Sequence, residues 1–565
     1  MCCYDTRKTF ALERGNMQFK RQIGASGVLF ASIGAMIGSG WLFSSLYAAQ
    51  LAGPAAIVSW IIATLFIIII AITFAELGTL FPIAGGIANY PFFTHGKLAG
   101  FLLGWISWLS FLVLTPIEVQ ATIQYMTNFF PSLTRVEDNI HHLTSSGYII
   151  AIVLMLVLVY INTRGVKFMT DTNKYFSIWK IVVPSLAILI FFLSSQGTQN
   201  LTLEATGGFA PFGWHGILSA LAVSGIVFSF NGFQIGIMMA AETRDPQKNI
   251  PKAIIGSVLL GGTIYILLQI SFLMAVPGQS LQNGWASLSF TGDAGPLAGL
   301  ALVLGVSWLA WTLYIDAIIS PIGAGIVYTA SSARVLYALS ANGYIPSQVK
   351  KIDKRGIPIT SVWVNFALGM LAFLPFPGWQ GMVGFLSSTM IAGYAIVPIC
   401  ILALRKQQPE LHRPFKLPMY KVFCFIAFYI CNLLLYWSGW TIISKLFVAV
   451  IIGFLIYLSR LIYLKELKDN LPTWKNATWI LFYLAGLCVL TRYGEFDGGL
   501  KIIPVGIDFA VLAAFSMIVL WASERYMLSP EQAKKNISLI LAEQQGSKQV
   551  THSYDVQPEP CSKEG

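Results

Sequence analysis

Charged side chains are scarce in this chain. Aspartate, glutamate, lysine and arginine make up 11% of its 565 residues, against roughly a quarter in soluble domains. No polar stretch is long enough to fold as an aqueous domain. The net charge of +11 therefore has no soluble surface on which to read nucleic acid, and no nucleic-acid partner is expected. Cysteine is sparse too. The seven cysteines form no CxxC pair and no His/Cys set at metal-ligand spacing, so no metal site is expected. Cys400, Cys424, Cys431 and Cys488 lie in or beside apolar runs, where a thiol packs as a small hydrophobe. Cys2 and Cys3 are candidate lipid acceptors but read better as ordinary thiols, and His141-His142 is a metal candidate in principle only and reads as a solvated loop pair. HExxH, GxSxG and a phosphate loop in its structural context are all missing, so neither an enzyme nor a cofactor is expected. The residues before Ile23 are polar and hold no signal-peptide core.

What the chain has in abundance is apolar sequence. Hydrophobic residues reach 56% and mean hydropathy is +0.69. A bilayer core needs about 20 apolar residues per helix, and runs such as Ala55 to Leu77 meet that length repeatedly. Fourteen spans are expected, near 24–50, 54–80, 98–129, 147–163, 175–195, 214–240, 253–276, 301–340, 359–375, 380–404, 422–440, 444–463, 476–492 and 502–523. The eighth is too long for one crossing, so an outer helix should precede a span starting near Thr312. With the amino terminus inside, 31 of the 36 basic residues fall in inside segments, four fall outside, and Lys180 lies within a span. That asymmetry supports an all-α polytopic protein of the cell (inner) membrane with both termini cytoplasmic. The final polar segment should start as a short surface helix and end in the disordered "THSYDVQPEPCSKEG".

Two spans carry the same flaw. The first contains "IGAMIGSG" (Ile33 to Gly40), and the sixth contains "VFSFNGFQIG" (Val227 to Gly236), where Asn231-Gly232 interrupts an apolar run. Glycine is a poor helix former. The two spans are five apart, so they cross in opposite senses. Interrupted helices at matching places in two inverted halves point to the binding site of a secondary transporter. Backbone freed at the midplane must be buried in protein or line a polar cavity. The helix starting at Gly38-Ser39-Gly40 would offer N–H groups and a positive dipole end to a carboxylate. Half-helices ending at the breaks would offer carbonyls to an ammonium. Gly34 and Gly38 also form a GxxxG pair, which serves helix packing.

"GAMIGSGWLF" resembles the first-span signature of the amino acid–polyamine–organocation permeases. "AELGTLFPIAGG" (Ala75 to Gly86), "AAETRDPQKNIPKAI" (Ala240 to Ile254) and "SSARVLYALSANGYIP" (Ser331 to Pro346) resemble that family's later motifs, in order, across Gly24 to Arg405. "FNGFQ" and "NIPKAIIGSVL" look like the bacterial aspartate–proton symporter subgroup. The resemblance implies a leucine-transporter-type fold. It comprises a cytoplasmic tail (1–22), two inverted five-span repeats (23–200 and 213–405), four additional helices (422–523) and a cytoplasmic tail (529–565). It further implies that Gly38, Ser39 and Gly40 bind the substrate carboxylate, and that carbonyls near Ala35, Met36, Phe228 and Ser229 take the amine. Phe228 matches an aromatic gate, and Asn231 a position facing the substrate side chain. Gln234 stands where many members carry glutamate, so no proton role passes to it.

Ionisable residues inside a membrane are functional candidates. Lys180, in span five, can load and release a proton, or snorkel to the cytoplasmic surface. Glu118, in span three, can bind a proton, orient a cationic substrate, or bond as a neutral acid to a neighbouring helix. Asp316 is expected near the outer end of its span, in the outer vestibule or, by preference, at the interface. Glu76, Glu242 and Arg244 read as structural or inner-gate ion pairs, and Asp508 is given no role. The function expected is proton-coupled amino acid import by alternating access. The candidate substrate is an acidic amino acid such as aspartate. An amino acid or polyamine exchanger of the same fold and an amino acid receptor are the rivals.

Overall fold

The computed structural model describes residues 24–552 except 82–85, 138–139, 165, 196, 239–242, 291–294, 354–356 and 377. The amino-terminal tail with Cys2 and Cys3, Glu242, and residues 553–565 lie outside the described residues. Helix occupies all fourteen apolar segments. In chain order the elements are α1 (Ala25–Met36), α2 (Gly40–Ala52), α3 (Ala56–Leu80), α4 (Gly86–His95), α5 (Lys97–Met126), the hairpin β1 (Thr134–Glu137) and β2 (Ile140–Leu143), α6 (Ser145–Thr163) and α7 (Val166–Leu193). Next come α8 (Gly213–Val223), α9 (Ile226–Ser229), α10 (Ile235–Met238), α11 (Pro246–Ala275), α12 (Pro296–Val303), α13 (Ser307–Ala341), α14 (Ile359–Leu371), α15 (Gly378–Tyr394) and α16 (Ile396–Gln407). The last are α17 (Tyr420–Trp437), α18 (Trp440–Tyr463), α19 (Leu467–Asn470), α20 (Thr478–Tyr493), α21 (Ile507–Arg525) and α22 (Pro530–His552).

Among the described residues, nine helical stretches are long and apolar enough to cross a bilayer, and α1, most of α7, α8 and α14 are shorter apolar helices. The chain is thus an all-α multi-pass membrane protein. Its layers follow from which helices hide from lipid. The apolar windows of α5 and of α15 with α16 are 100% buried, whereas those of α6 and α18 are 33% and 28% buried. Helices α5 and α15 are therefore central, and α6 and α18 face outward. Helix α5 packs along α13 and α15, while α11 packs along α3 and α1. The end of the bundle at which α1 begins is here the near face, and the end at which α2 finishes is the far face.

Three features differ from the sequence reading. Helix α13 begins at Ser307, earlier than Thr312, because only Leu304 to Val306 separate it from α12. Helix α4, a near-face helix with Pro91 inside it, joins α5 through Gly96 at φ 88°. Helix α22 is longer than a short surface helix, and its approach is tied down. The Leu528 N–H donates to Thr94 O, the Asn536 amide to Phe92 O, and the Gln407 amide to both Thr94 O and Leu528 O. His95 is buried between them, bonded to Thr94 Oγ1 and Ser523 O.

Candidate functional site

Both expected breaks are present, and they touch. Residues 37–39 separate α1 from α2, and residues 230–234 separate α9 from α10. A second interruption at Ser224-Gly225 sets α9 apart from α8. Gly232 has φ 126°, and a Cβ there would lie 2.7 Å from the Ala35 carbonyl carbon and the Met36 nitrogen. Only glycine lets the two unwound backbones meet this closely. At Gly38 a Cβ would lie 2.6 Å from Glu118 Oε1, so glycine there admits a carboxylate to the opened turn.

The freed backbone groups have partners that the sequence reading missed. The Lys180 ammonium donates to Gly34 O at 3.0 Å. The Tyr328 hydroxyl donates to Ala35 O at 2.8 Å. One Tyr265 hydroxyl reaches both Met36 O at 3.1 Å and Ser229 O at 3.0 Å, bridging the two breaks. The Ser39 N–H donates to Glu118 Oε2 at 2.9 Å. Buried backbone must be satisfied in this way, but the pairings join residues up to 293 positions apart. The available signal was tyrosine within an otherwise apolar span, away from an expected membrane interface.

Three ionisable side chains lie behind the first break. Lys180 and Asp316 are 0% exposed and Glu118 is 1% exposed. Lys180 therefore does not snorkel to a surface, and its stem passes Gly323 of α13. Asp316 corrects the expectation of an interfacial position. Its face of α13 turns inward, where Oδ1 accepts from the Trp179 indole at 2.8 Å and the Ser320 hydroxyl at 2.7 Å. Lys180 is in Coulombic reach of both carboxylates. Among the described residues, Glu118 Oε1 and Asp316 Oδ2 are buried without a hydrogen-bond partner, as is the Trp41 indole N–H.

The second break carries a polar cluster. Asn231 Oδ1 accepts from the Gln234 amide at 2.8 Å and from the Tyr394 hydroxyl at 3.4 Å. Gln234 Oε1 accepts from the Gly232 N–H at 3.0 Å. Its amide thus supports the broken backbone. Asn231 Nδ2 is buried with no partner among the described residues.

A cavity of about 610 Å³ opens on the far face, lined by Tyr47, Gln124, His141, His215, Trp379 and Lys445 among others. His141 is thus a wall residue of this cavity, and burial lowers its pKa. Trp379 closes the floor. It stacks on Phe43 with ring centroids 4.8 Å apart, meets Phe228 edge-on at 6.0 Å, and donates to Ser39 Oγ at 2.9 Å. On the near side, Arg405 grips Glu76 with two bonds of 2.8 and 2.7 Å, Arg413 lies 3.4 Å from the same carboxylate, and the Leu417 N–H adds a bond of 2.8 Å. Glu76 thereby ties the end of α3 to the end of α16 and the segment after it.

The two breaks thus lie between an aromatic floor on the far side and an ion-paired seam on the near side. Comparison with known proteins identifies the family. The model of a family described as amino acid permease matches residues 23–457. The glutamate/serine transporter AimA of Bacillus subtilis (strain 168) is 36% identical over 514 residues, covering 89% of this chain and 94% of the relative. The aspartate-proton symporter of the same organism is 34% identical over 513 residues, covering 90% and 97%. Its branched-chain amino acid permease BcaP is 26% identical over 462 residues, covering 79% and 94%.

Proposed function

Because the chain belongs to the amino acid permease family, we propose that it imports an acidic amino acid together with a proton. The observation that carries this reading is the Glu118 carboxylate seated on the Ser39 N–H. In this proposal the substrate carboxylate takes the N–H groups at the start of α2, around Gly38, Ser39 and Gly40. One N–H does not serve two carboxylates. Glu118 must yield, and an ionised carboxylate stranded in a low-dielectric interior is costly unless it is neutralised. Glu118 therefore takes a proton as the substrate arrives, which links the two binding events.

The substrate ammonium uses the second lone pairs of the carbonyls at Ala35 and Ser229, each of which holds one tyrosine hydroxyl, and lies beside those of Met36 and Phe228, which are already taken. Asn231 Nδ2, a buried donor without a partner among the described residues, bonds the side-chain carboxylate of aspartate or glutamate. The names of two relatives support an acidic substrate, one as a glutamate/serine transporter and one as an aspartate-proton symporter. Trp379 and Phe228 act as the outer gate, and Glu76, Arg405 and Arg413 as the inner seam. In this reading the near face is cytoplasmic with both termini, residues 23–200 and 213–405 are inverted repeats, and 422–523 are additional helices.

Proteoliposomes test the proposal. Labelled L-glutamate, L-aspartate and L-serine are offered with and without an imposed inward proton gradient. The expected result is accumulation of an acidic amino acid that collapses when the gradient is removed. Counterflow without proton-driven accumulation would establish an exchanger instead. Saturable binding with no transport would establish a receptor.

A further inference from the structure

We propose that Asp316 is a positioning residue for proton coupling: it remains the counter-ion of Lys180 while Glu118 carries the proton. The inference deepens the reading of Glu118 above and rests on it. Three ionisable groups share one buried region, one cationic and two anionic. With all three charged, the region holds an unbalanced negative charge, which a membrane interior does not tolerate cheaply. With one carboxylate protonated, it is neutral. The question is which carboxylate moves between the two forms.

The surroundings of the two acids differ. Asp316 Oδ1 accepts two hydrogen bonds, from an indole N–H and from a hydroxyl, both on side chains packed in place. Hydrogen bonds to a carboxylate favour its ionised form. Glu118 accepts one bond, from the backbone N–H of Ser39, the group that the substrate is proposed to claim. Substrate therefore removes support from Glu118 and leaves that of Asp316 intact. Lys180 lies within Coulombic reach of both, with its ammonium on Gly34 O and its stem against Gly323.

The groups around Asp316 are Lys180 and the neutral Trp179 from α7, Tyr125 from α5, the Trp41 indole from α2, and Ser320 on α13 itself. Tyr265 of α11 and Tyr328 of α13 sit on the Glu118 side. Among these, Asp316 is the anion that can balance Lys180 once Glu118 is neutral. Without it, protonating Glu118 leaves an uncompensated buried ammonium, and Lys180 either releases its own proton or blocks the step. Asp316 thus keeps the lysine charged and the coupling proton on Glu118.

Two measurements test this. In weakly buffered detergent solution, wild-type protein is expected to take up about one proton per L-glutamate bound. Asp316→Asn is expected to take up none, and Asp316→Glu to recover uptake. Asp316→Asn taking up as many protons as the wild type would overturn the proposal. A wild type that binds L-glutamate and takes up no proton would overturn the Glu118 reading beneath it. The second measurement needs no variant. Infrared difference spectra of wild-type protein, recorded on adding unlabelled L-glutamate, should show a protonated-carboxyl band. That band should move when the protein carries isotope-labelled glutamate residues. A band that moves with labelled aspartate residues instead would place the proton on Asp316 and refute the assignment.

Discussion

Replacing Tyr265 by phenylalanine should unlock the two broken helices from each other. The hydroxyl bridges Met36 O and Ser229 O, and the ring can stay where it packs against Trp60, 5.0 Å between centroids. The two carbonyls lose unequally. Met36 O keeps the Gly38 N–H at 3.1 Å, whereas no other hydrogen bond to Ser229 O is present among the described residues. The cost is therefore that of about one stranded buried acceptor, roughly 1–3 kcal/mol. As a population that is about 5- to 150-fold in favour of states in which the breaks separate. A bound amino acid restores a donor through its ammonium, so the loss should fall mainly on the empty protein. The assay is thermal unfolding in detergent with and without substrate. Y265F should melt below wild type when empty and gain more from substrate than wild type does. Y328F strips a donor from Ala35 O alone, and serves as a comparison confined to one break. A Y265F protein that melts like wild type when empty, with the same gain from substrate, would refute the bridge.

Glu76→Ala strands two guanidinium groups at the near-face seam, and should cost about 3–5 kcal/mol, read as loss of the folded peak in size-exclusion chromatography. Asn231→Ala should lower uptake efficiency for aspartate and glutamate about 10- to 150-fold while sparing serine, since a hydrogen bond to a charged group is worth about 1.5–3 kcal/mol; equal losses for all three would argue against side-chain recognition. Burial lowers the His95 pKa to about 4, against about 6.5 when unfolded. The folded form thus binds fewer protons between those values. Its contribution is complete above about pH 6.5 and is lost as pH falls towards 4, up to about 3 kcal/mol. Protease cleavage ahead of α22 should rise across that window, and a flat profile would exclude His95 as the cause.

The breaks were legible because their local chemistry contradicts their surroundings. Glycines and an Asn-Gly pair in apolar runs are hard to explain as plain helix. Their partners were not legible, because Tyr265, Tyr328 and Glu118 reach them through tertiary packing, which no local pattern encodes. Asp316 was misplaced for a related reason. Hydropathy locates the end of a span but not which face of the helix turns inward, and α13 starts earlier than its apolar window suggests. Helix α4 escaped notice because Pro91 and a short, mixed sequence hide its periodicity. The hairpin of β1 and β2 has only four residues per strand, too few for alternation to stand out.

The tie between α4 and the segment leading into α22 bears on how the chain is completed. The bonds from the Leu528 N–H to Thr94 O and from His95 to Ser523 O join one stretch to another made more than 400 residues later. Helices α1 to α16 are complete at Gln407, yet the amide of that residue finds its second acceptor only when Leu528 arrives. Until then these polar groups on the near face must rely on water or a chaperone. A nascent chain stalled before α21 would hold both broken helices and their tyrosine partners, but its near face would remain unfinished.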